Sequence, residues 1–429
     1  MGPLRFLPHS RLQRDTFLLL ALQVFYKLSG LILLVVLSRN LPAEDIGLYF
    51  FALSFAGSFV VLANLQLNAV MMRRVAADTA HAAAHLAALL GFRLVGSPVY
   101  LLCVSAAALA LTKGIWRVIL IVALFTVLES IYFSFGNCFI ALGKANYTVG
   151  IGVAVEIFFL SIFLLGMWWA PSLDVLLEAN ILRSLLLVGM AVLVVRRWLF
   201  PLRVSWDTQF IREGVPFILT TLLALLGEKI DTLLLGYLTG YETVGHYHLA
   251  LRIVFASLFV PSVAGVAFFP RLSAHGLSAE NRRTILRGAG FLLALGVLAM
   301  GVGFLFASPL TGLLYGSLSG SVTPLLRSLT LLFPLSFLNL FLSSILQALY
   351  QERKVLRALA ICTGAGIVAN CALIPLFGAY GAVYARILSA LIRLGILIWY
   401  LRHLFSQPES PTGRRYEVEE LTLPAAGQW

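Results

Sequence analysis

Ten ionisable side chains stand inside long apolar runs: Lys27, Glu129, Glu156, Arg183, Glu228, Lys229, Asp231, Arg252, Arg386 and Arg393. At the centre of a membrane-spanning helix each costs about 2.5–3.5 kcal/mol on insertion scales, so such groups pair, face a wet cavity or carry function. Six are basic and four acidic, a balance that suits an anionic ligand. An arginine can grip a phosphate through two parallel hydrogen bonds without losing its charge. Arg183, Lys27, Lys229, Arg252, Arg386 and Arg393 are therefore the candidate substrate-binding residues. Arg183 leads them because it lies midway along its apolar run, about 15 Å from either surface and beyond easy snorkelling. A carboxylate at such depth can take up and release a small cation, which makes Glu228, Asp231, Glu129 and Glu156 candidate ion-coupling residues. The competing role is internal ion pairing, Arg183 with Glu129 or Glu156. Glu228 and Asp231, which share a helix face, would pair with Lys27, Lys229 or Arg183.

Other chemistry is sparse. There is no phosphate-binding G-x-x-x-x-G-K-[ST], no H-E-x-x-H and no G-x-S-x-G nucleophile setting, so neither a catalytic residue nor a bound cofactor is expected. His81 and His85 have the i,i+4 spacing of a metal pair but no third ligand nearby, and read as the polar face of an Ala-rich helix. His246 and His248 alternate in what reads as an outer loop facing solvent. Cys103, Cys138, Cys362 and Cys371 fall inside apolar runs without C-x-x-C spacing, as free thiols in a core.

The elements that must position these residues follow from composition. The chain has 429 residues, 60% hydrophobic and 12% charged, with a mean hydropathy of +0.94. Soluble domains are about 45–50% apolar and about 25% charged, so a soluble globule, a disordered chain and a disulfide scaffold are excluded. A span needs about 20 apolar residues. Runs of that length occur at 16–38, 46–70, 87–111, 116–142, 147–170, 173–195, 215–239, 244–269, 288–311, 325–350, 355–377 and 379–403, which makes twelve. With the N-terminus inside, 21 of the 31 Lys and Arg fall in inner loops, four in outer loops and six within spans. That asymmetry places both termini in the cytoplasm and accounts for the net charge of +12 without nucleic acid. The outward loops are short, and the longest, about 312–324, is Gly/Ser-rich and uncharged. They leave no room for the outward domain that a membrane glycosyltransferase or polymerase needs.

An internal repeat divides the chain. Glu44-Asp-Ile-Gly-Leu-Tyr-Phe-Phe-Ala52 and Glu242-Thr-Val-Gly-His-Tyr-His-Leu-Ala250 share Glu, an aliphatic, Gly, Tyr and Ala at identical spacing, 198 residues and six spans apart. An even number of spans keeps both copies in the same orientation, as in transporters built from parallel repeats. The expected organisation is an N-terminal six-helix half at 1–195, a basic cytoplasmic linker at 196–214, a C-terminal six-helix half at 215–403 and a disordered tail at 404–429.

Several segments then resemble a known family. Asn40-Leu-Pro-Ala-Glu-Asp-Ile-Gly-Leu-Tyr49 is similar to the segment after the first span of polysaccharide-unit and O-antigen-unit flippases. Asp231-Thr-Leu-Leu-Leu-Gly-Tyr-Leu-Thr-Gly240, running on to Val244-Gly-His-Tyr247 and Ala250, resembles their seventh and eighth spans. Ile345-Leu-Gln-Ala-Leu349 and Leu373-Ile-Pro-Leu-Phe-Gly-Ala-Tyr-Gly-Ala382 resemble their tenth to twelfth. The resemblance covers residues 15–403 and places the chain in the multidrug, oligosaccharidyl-lipid and polysaccharide exporter superfamily. It implies an all-α, twelve-helix polytopic fold like that of the multidrug exporters, set in the cell inner membrane. It also implies movement of an undecaprenyl-pyrophosphate-linked oligosaccharide from inner to outer leaflet by alternating access, coupled to a proton or sodium gradient and feeding surface polysaccharide or lipopolysaccharide synthesis. Membrane lipid and the polysaccharide polymerase machinery are the implied partners. The alternatives are a cation-coupled multidrug exporter of the same fold and a polyprenyl-dependent glycosyltransferase or polymerase.

Overall fold

A computed structural model describes residues 11–64, 67–112, 114–197, 206, 208–258, 261 and 279–406. Every regular element among them is helical. The first half contains α1 (Arg11–Asn40), α2 (Ala43–Ser58), α3 (Val60–Asn64), α4 (Asn68–Ala77), α5 (Ala82–Leu111), α6 (Trp116–Ala141), α7 (Ala145–Trp169) and α8 (Leu173–Arg196). The second contains α9 (Thr208–Leu238), α10 (Tyr241–Ser257), α11 (Ala279–Leu305), α12 (Ala307–Tyr315), α13 (Ser319–Leu329), α14 (Leu332–Ala348), α15 (Glu352–Phe377) and α16 (Ala379–Ser406). The expected linker at 196–214 falls between the end of α8 and the first turns of α9, and the tail beyond Ser406 lies outside the described residues.

Among the described residues eight helices are long and apolar enough to cross a membrane, or ten if each of two bent helix pairs is one span. These match ten of the twelve expected runs. Of the other two, 215–239 lies on α9, which carries Glu228, Lys229 and Asp231, and 244–269 begins on α10 and continues outside the described residues. The bent pairs are Ala43–Ser58 with Val60–Ala77, at 51°, and Ala307–Leu329 with Leu332–Ala348, at 49°. The second corrects the expected outer loop at 312–324, which is helical. Its Gly and Ser residues suggested a loop. Instead α13 buries Val322, Leu325, Leu326 and Leu329 on one face, and the Thr311 and Thr323 hydroxyls meet at 2.6 Å across the turn.

The packing is asymmetric from end to end. One core takes residues from both halves, including Leu37, Phe51, Phe163, Leu235, Tyr247 and Leu326, and lies at the end where α1 turns into α2 and α9 into α10. At the opposite end there are two separate cores. One is built on Met71, Leu86, Phe139 and Leu187 and also takes Phe210 from the start of α9. The other is built on Ile285, Phe341, Ile345 and Leu397. The halves share one core at the first end; at the other, among the described residues, each keeps its own core and the start of α9 bridges them, with Phe210 in the first-half core and Glu213 paired with Arg74 at 2.8 Å.

The joint is made by the repeat itself. A Cβ on Gly47 would overlap the Tyr241 carbonyl and press on the Gly245 amide, and a Cβ on Gly245 would overlap the Ala43 carbonyl and press on Gly47. Ala43 and Tyr241 occupy equivalent places in the two copies, as do Gly47 and Gly245. Each copy therefore packs on the other through the same positions, the signature of a local two-fold axis. Phe50 and His248, also equivalent, stack with ring centroids 4.4 Å apart and planes 7° from parallel.

At the other end the chain turns from α4 into α5 at Asp78. Its carboxylate accepts the His81 backbone N–H at 3.3 Å and lies 2.7 Å from His81 Nδ1. The His81 bond holds the Asp78 carboxyl below the usual carboxylate range. All four cysteines are free. Cys138 and Cys362 are buried, but Cys371, expected in a core, is exposed.

Candidate functional site

The ten deep charges sort into two ion-pair networks and a remainder. In the first half, α6, α7 and α8 converge on Arg183. Its Nη1 donates to Glu129 Oε1 at 2.5 Å and its Nε to Glu156 Oε2 at 2.9 Å. The Ser29 hydroxyl, from α1, donates to the other oxygen of Glu156. The guanidinium also lies over Phe159, 5.4 Å from the ring centroid. Four spans are tied together by one arginine. Its Nη1 and Nε are both bonded to carboxylates, so one arginine is set against two acids and the cluster has no excess of positive charge.

In the second half Asp231 is the hub, 2% exposed. One carboxylate oxygen accepts from Tyr247 Oη at 2.6 Å and from both Nη2 and Nε of Arg386. The other accepts the Thr232 backbone N–H at 2.7 Å. Thr232 Oγ1 lies 2.8 Å from His248 Nε2, and the Arg386 guanidinium lies over Phe255. The partner of Asp231 is thus Arg386, from the last helix, rather than Lys27, Lys229 or Arg183. Glu228 and Lys229 are neighbours that bond to each other at 2.7 Å, with side chains 54% and 26% exposed.

Lys27, Arg252 and Arg393 are the remaining deep cations. Lys27 is exposed on α1. Among the described residues no carboxylate lies within ion-pairing distance of Arg252 or Arg393. Arg393 Nη2 donates to Ser343 Oγ at 3.0 Å, while its buried Nε has no partner. Arg252 is exposed and extends over Phe50 of the first half, 5.6 Å from the ring centroid. It follows Gly245 by two helical turns on the same face of α10, about 10 Å beneath the glycine crossing. Lys229 also reaches across, since a Cβ on Gly57 of α2 would meet its Cε at 3.6 Å.

Two residues were misplaced by the sequence pattern. Arg93, counted with the cytoplasmic charges, is 2% exposed and bonded to Asn64 and Ser130, at 2.7 and 2.5 Å, and to Asn68. Arg93 falls inside the expected run 87–111, and α5 starts at Ala82, so it lies about three turns inside the helix rather than at its cytoplasmic end. Asn64 and Asn68, four apart on one face, were the available signal. His248 is half-buried on α10 rather than in a solvated loop, and its equivalence to the apolar Phe50 was the available signal. Among the described residues no group of three or more His, Cys, Asp or Glu is placed to hold a metal.

Residues 12–275 match the family described as polysaccharide biosynthesis protein, more than half of the chain. The chain belongs to that family. Among curated proteins, the "Probable flippase AglR" of Haloferax volcanii is 31% identical over 170 residues, 37% of this chain. The chain spans about a third of that relative's length, 35%. Solved structures share the fold at low identity. "Lipid II flippase MurJ, inward closed conformation" has a TM-score of 0.71 at 12% identity, over 89% of this chain and 87% of that one. An inward-facing multidrug resistance MATE family transporter of the MOP superfamily has a TM-score of 0.67 at 14% identity, over 89% and 96%. The family's fold therefore serves both flippases and drug exporters, and function has to be argued from the charges between the halves.

Proposed function

We propose that this member of the polysaccharide biosynthesis family is a flippase for an oligosaccharide linked through pyrophosphate to a polyprenol of the undecaprenyl type. It moves the headgroup from the inner to the outer leaflet of the cytoplasmic membrane, and a surface-polysaccharide polymerase then uses the unit. The observation that carries the reading is Arg252, an exposed guanidinium with no carboxylate partner among the described residues, reaching from one half to the other beneath the glycine joint. Arg393 and Lys27 are further cations for the phosphates and sugar hydroxyls, whereas Arg183 and Arg386 hold helices together. With the basic loops in the cytoplasm, the end where the halves keep separate cores faces inward, toward a substrate made inside. A pyrophosphate carries about two negative charges, each worth about 2.3 kcal/mol per 100 mV, so an inside-negative potential favours outward movement. The multidrug-exporter alternative fits the fold as well, but Arg252, with no carboxylate partner among the described residues, repels a cationic drug.

Losing a charge-assisted hydrogen bond costs about 1.5–3 kcal/mol, roughly 10- to 150-fold in affinity. Arg252→Ala is therefore expected to give folded, inserted protein with export reduced at least about 10-fold, and Arg252→Lys to rescue in part because it keeps charge without the bidentate fork. The measurement is accumulation of lipid-linked oligosaccharide on the cytoplasmic leaflet. Undiminished export by a well-expressed Arg252→Ala variant removes Arg252 from the site. Orientation has its own check. Reporter fusions after Gly240 and Ser317 are expected to read outside and those after Arg203, Arg283 and Lys354 inside, and two inversions overturn the topology.

A further inference from the structure

A cavity of about 570 Å³ opens at the outer surface of the second half, between the end of α11 (Met300, Gly301, Phe304, Leu305) and the α13–α14 break (Arg327, Leu331). This is within the size range of ligand clefts, about 300–1,000 Å³. Its rim is turned away from the protein, with Phe304 51%, Leu305 73% and Leu331 49% exposed. A Cβ on Gly301 would meet nothing within 4 Å, so the floor is open there. The lining hydroxyls are occupied, Ser328 Oγ donating to the Pro324 carbonyl at 3.2 Å and Thr330 Oγ1 to the Arg327 carbonyl at 2.6 Å. The Arg327 guanidinium, over Phe304 at 5.5 Å, has no carboxylate partner among the described residues. The groove thus offers apolar walls and one cation, at the end of a span where lipid phosphates lie.

We propose that this groove seats one anionic phospholipid, its phosphodiester on Arg327 and one acyl chain running past Gly301 and Leu331. Basic pockets between spanning helices bind anionic headgroups. An acyl chain gains little by exchanging neighbouring lipid for apolar side chains, so selectivity rests on the headgroup. A zwitterionic lipid brings an ammonium that competes for its own phosphate, and a polyprenyl phosphate or pyrophosphate carrier brings up to about two charges to a single cation. The net single charge of a phosphatidylglycerol matches. The site stands apart from the cleft between the halves and does not depend on what is transported there.

The test is native mass spectrometry of the full-length protein in detergent, titrated separately with phosphatidylglycerol, phosphatidylethanolamine and undecaprenyl phosphate. The wild type is expected to retain one phosphatidylglycerol that Arg327→Gln binds at least about 10-fold more weakly, with no such difference for phosphatidylethanolamine. Gly301→Leu, which fills the floor and leaves the charge, is expected to lose the same lipid. Arg117→Gln, which removes an arginine lying over Trp116 at 5.5 Å in the first half, is expected to keep it. Equal retention by wild type and Arg327→Gln overturns the proposal. So does an equal loss in Arg117→Gln, which reports surface charge alone, and so does preference for undecaprenyl phosphate, which gives the groove to the carrier lipid.

Discussion

Arg183→Ala is expected to deplete folded protein rather than to yield a well-folded transporter that cannot transport. Arg183 is the sole cation bonded to both Glu129 and Glu156 among the described residues, at 2.5 and 2.9 Å, and their side chains are only 26% and 6% exposed. Removing one partner of a buried ion pair costs about 3–5 kcal/mol, because the remaining charges are left without compensation. The partial exposure of Glu129 places the expectation near the lower figure. Against a total stability of about 5–15 kcal/mol that is a large fraction. The readout is the amount and thermal midpoint of monodisperse protein extracted from membranes, compared with Arg252→Ala, which leaves no carboxylate stranded. Adding Glu129→Gln and Glu156→Gln to Arg183→Ala is expected to restore most of the loss, since neutral amides can remain buried if their hydrogen bonds are met. Arg183→Lys keeps the charge but can no longer span both acids with one planar fork, and should fall between. A stable Arg183→Ala protein with abolished export would return Arg183 to the substrate.

The contrast between Arg183 and Arg252 marks where sequence reading stops. Arg183 lies midway along its apolar run and Arg252 about two turns into its own, so depth ranks Arg183 first for the substrate. The difference is made by neighbours from other helices: two carboxylates at Arg183, an aromatic ring at Arg252. The same holds for Asp231, whose partner Arg386 is 155 positions away. Span order and the repeat were legible because they depend on periodicity and composition, which are local. The repeat even carried more than it first disclosed. Its shared glycine is the position where a Cβ is forbidden, and its Phe50–His248 equivalence foretold a contact across the two-fold axis. The 312–324 segment misled for the converse reason. Its helices bury Val322, Leu325, Leu326 and Leu329 on one face and meet through Thr311 and Thr323 across the turn, contacts that composition does not register.

Gly47→Ala and Gly245→Ala should each force open the end that joins the halves. In both cases the new methyl group would occupy the space of a backbone carbonyl on the partner helix, of Tyr241 or Ala43, and backbone cannot give as a flexible side chain can. Overpacking of a well-packed contact costs about 1–3 kcal/mol, and here α2 and α10 must separate. A penalty of that size, charged to the joined state alone, shifts the balance between joined and separated forms by roughly 5- to 150-fold. Ser54, 2% exposed and the counterpart of Arg252 in the repeat, is a suitable reporter. A cysteine placed there is expected to react slowly with an impermeant thiol reagent applied outside the wild-type background and much faster when either glycine is replaced. Gly57→Ala on the same helix is the control, because its Cβ would make an ordinary contact of 3.6 Å with the Lys229 side chain. The double variant is expected to be less impaired than the sum of the singles, since a crossing spread by the first methyl group already accommodates the second. Unchanged labelling and stability in both single variants would mean that another contact closes this end.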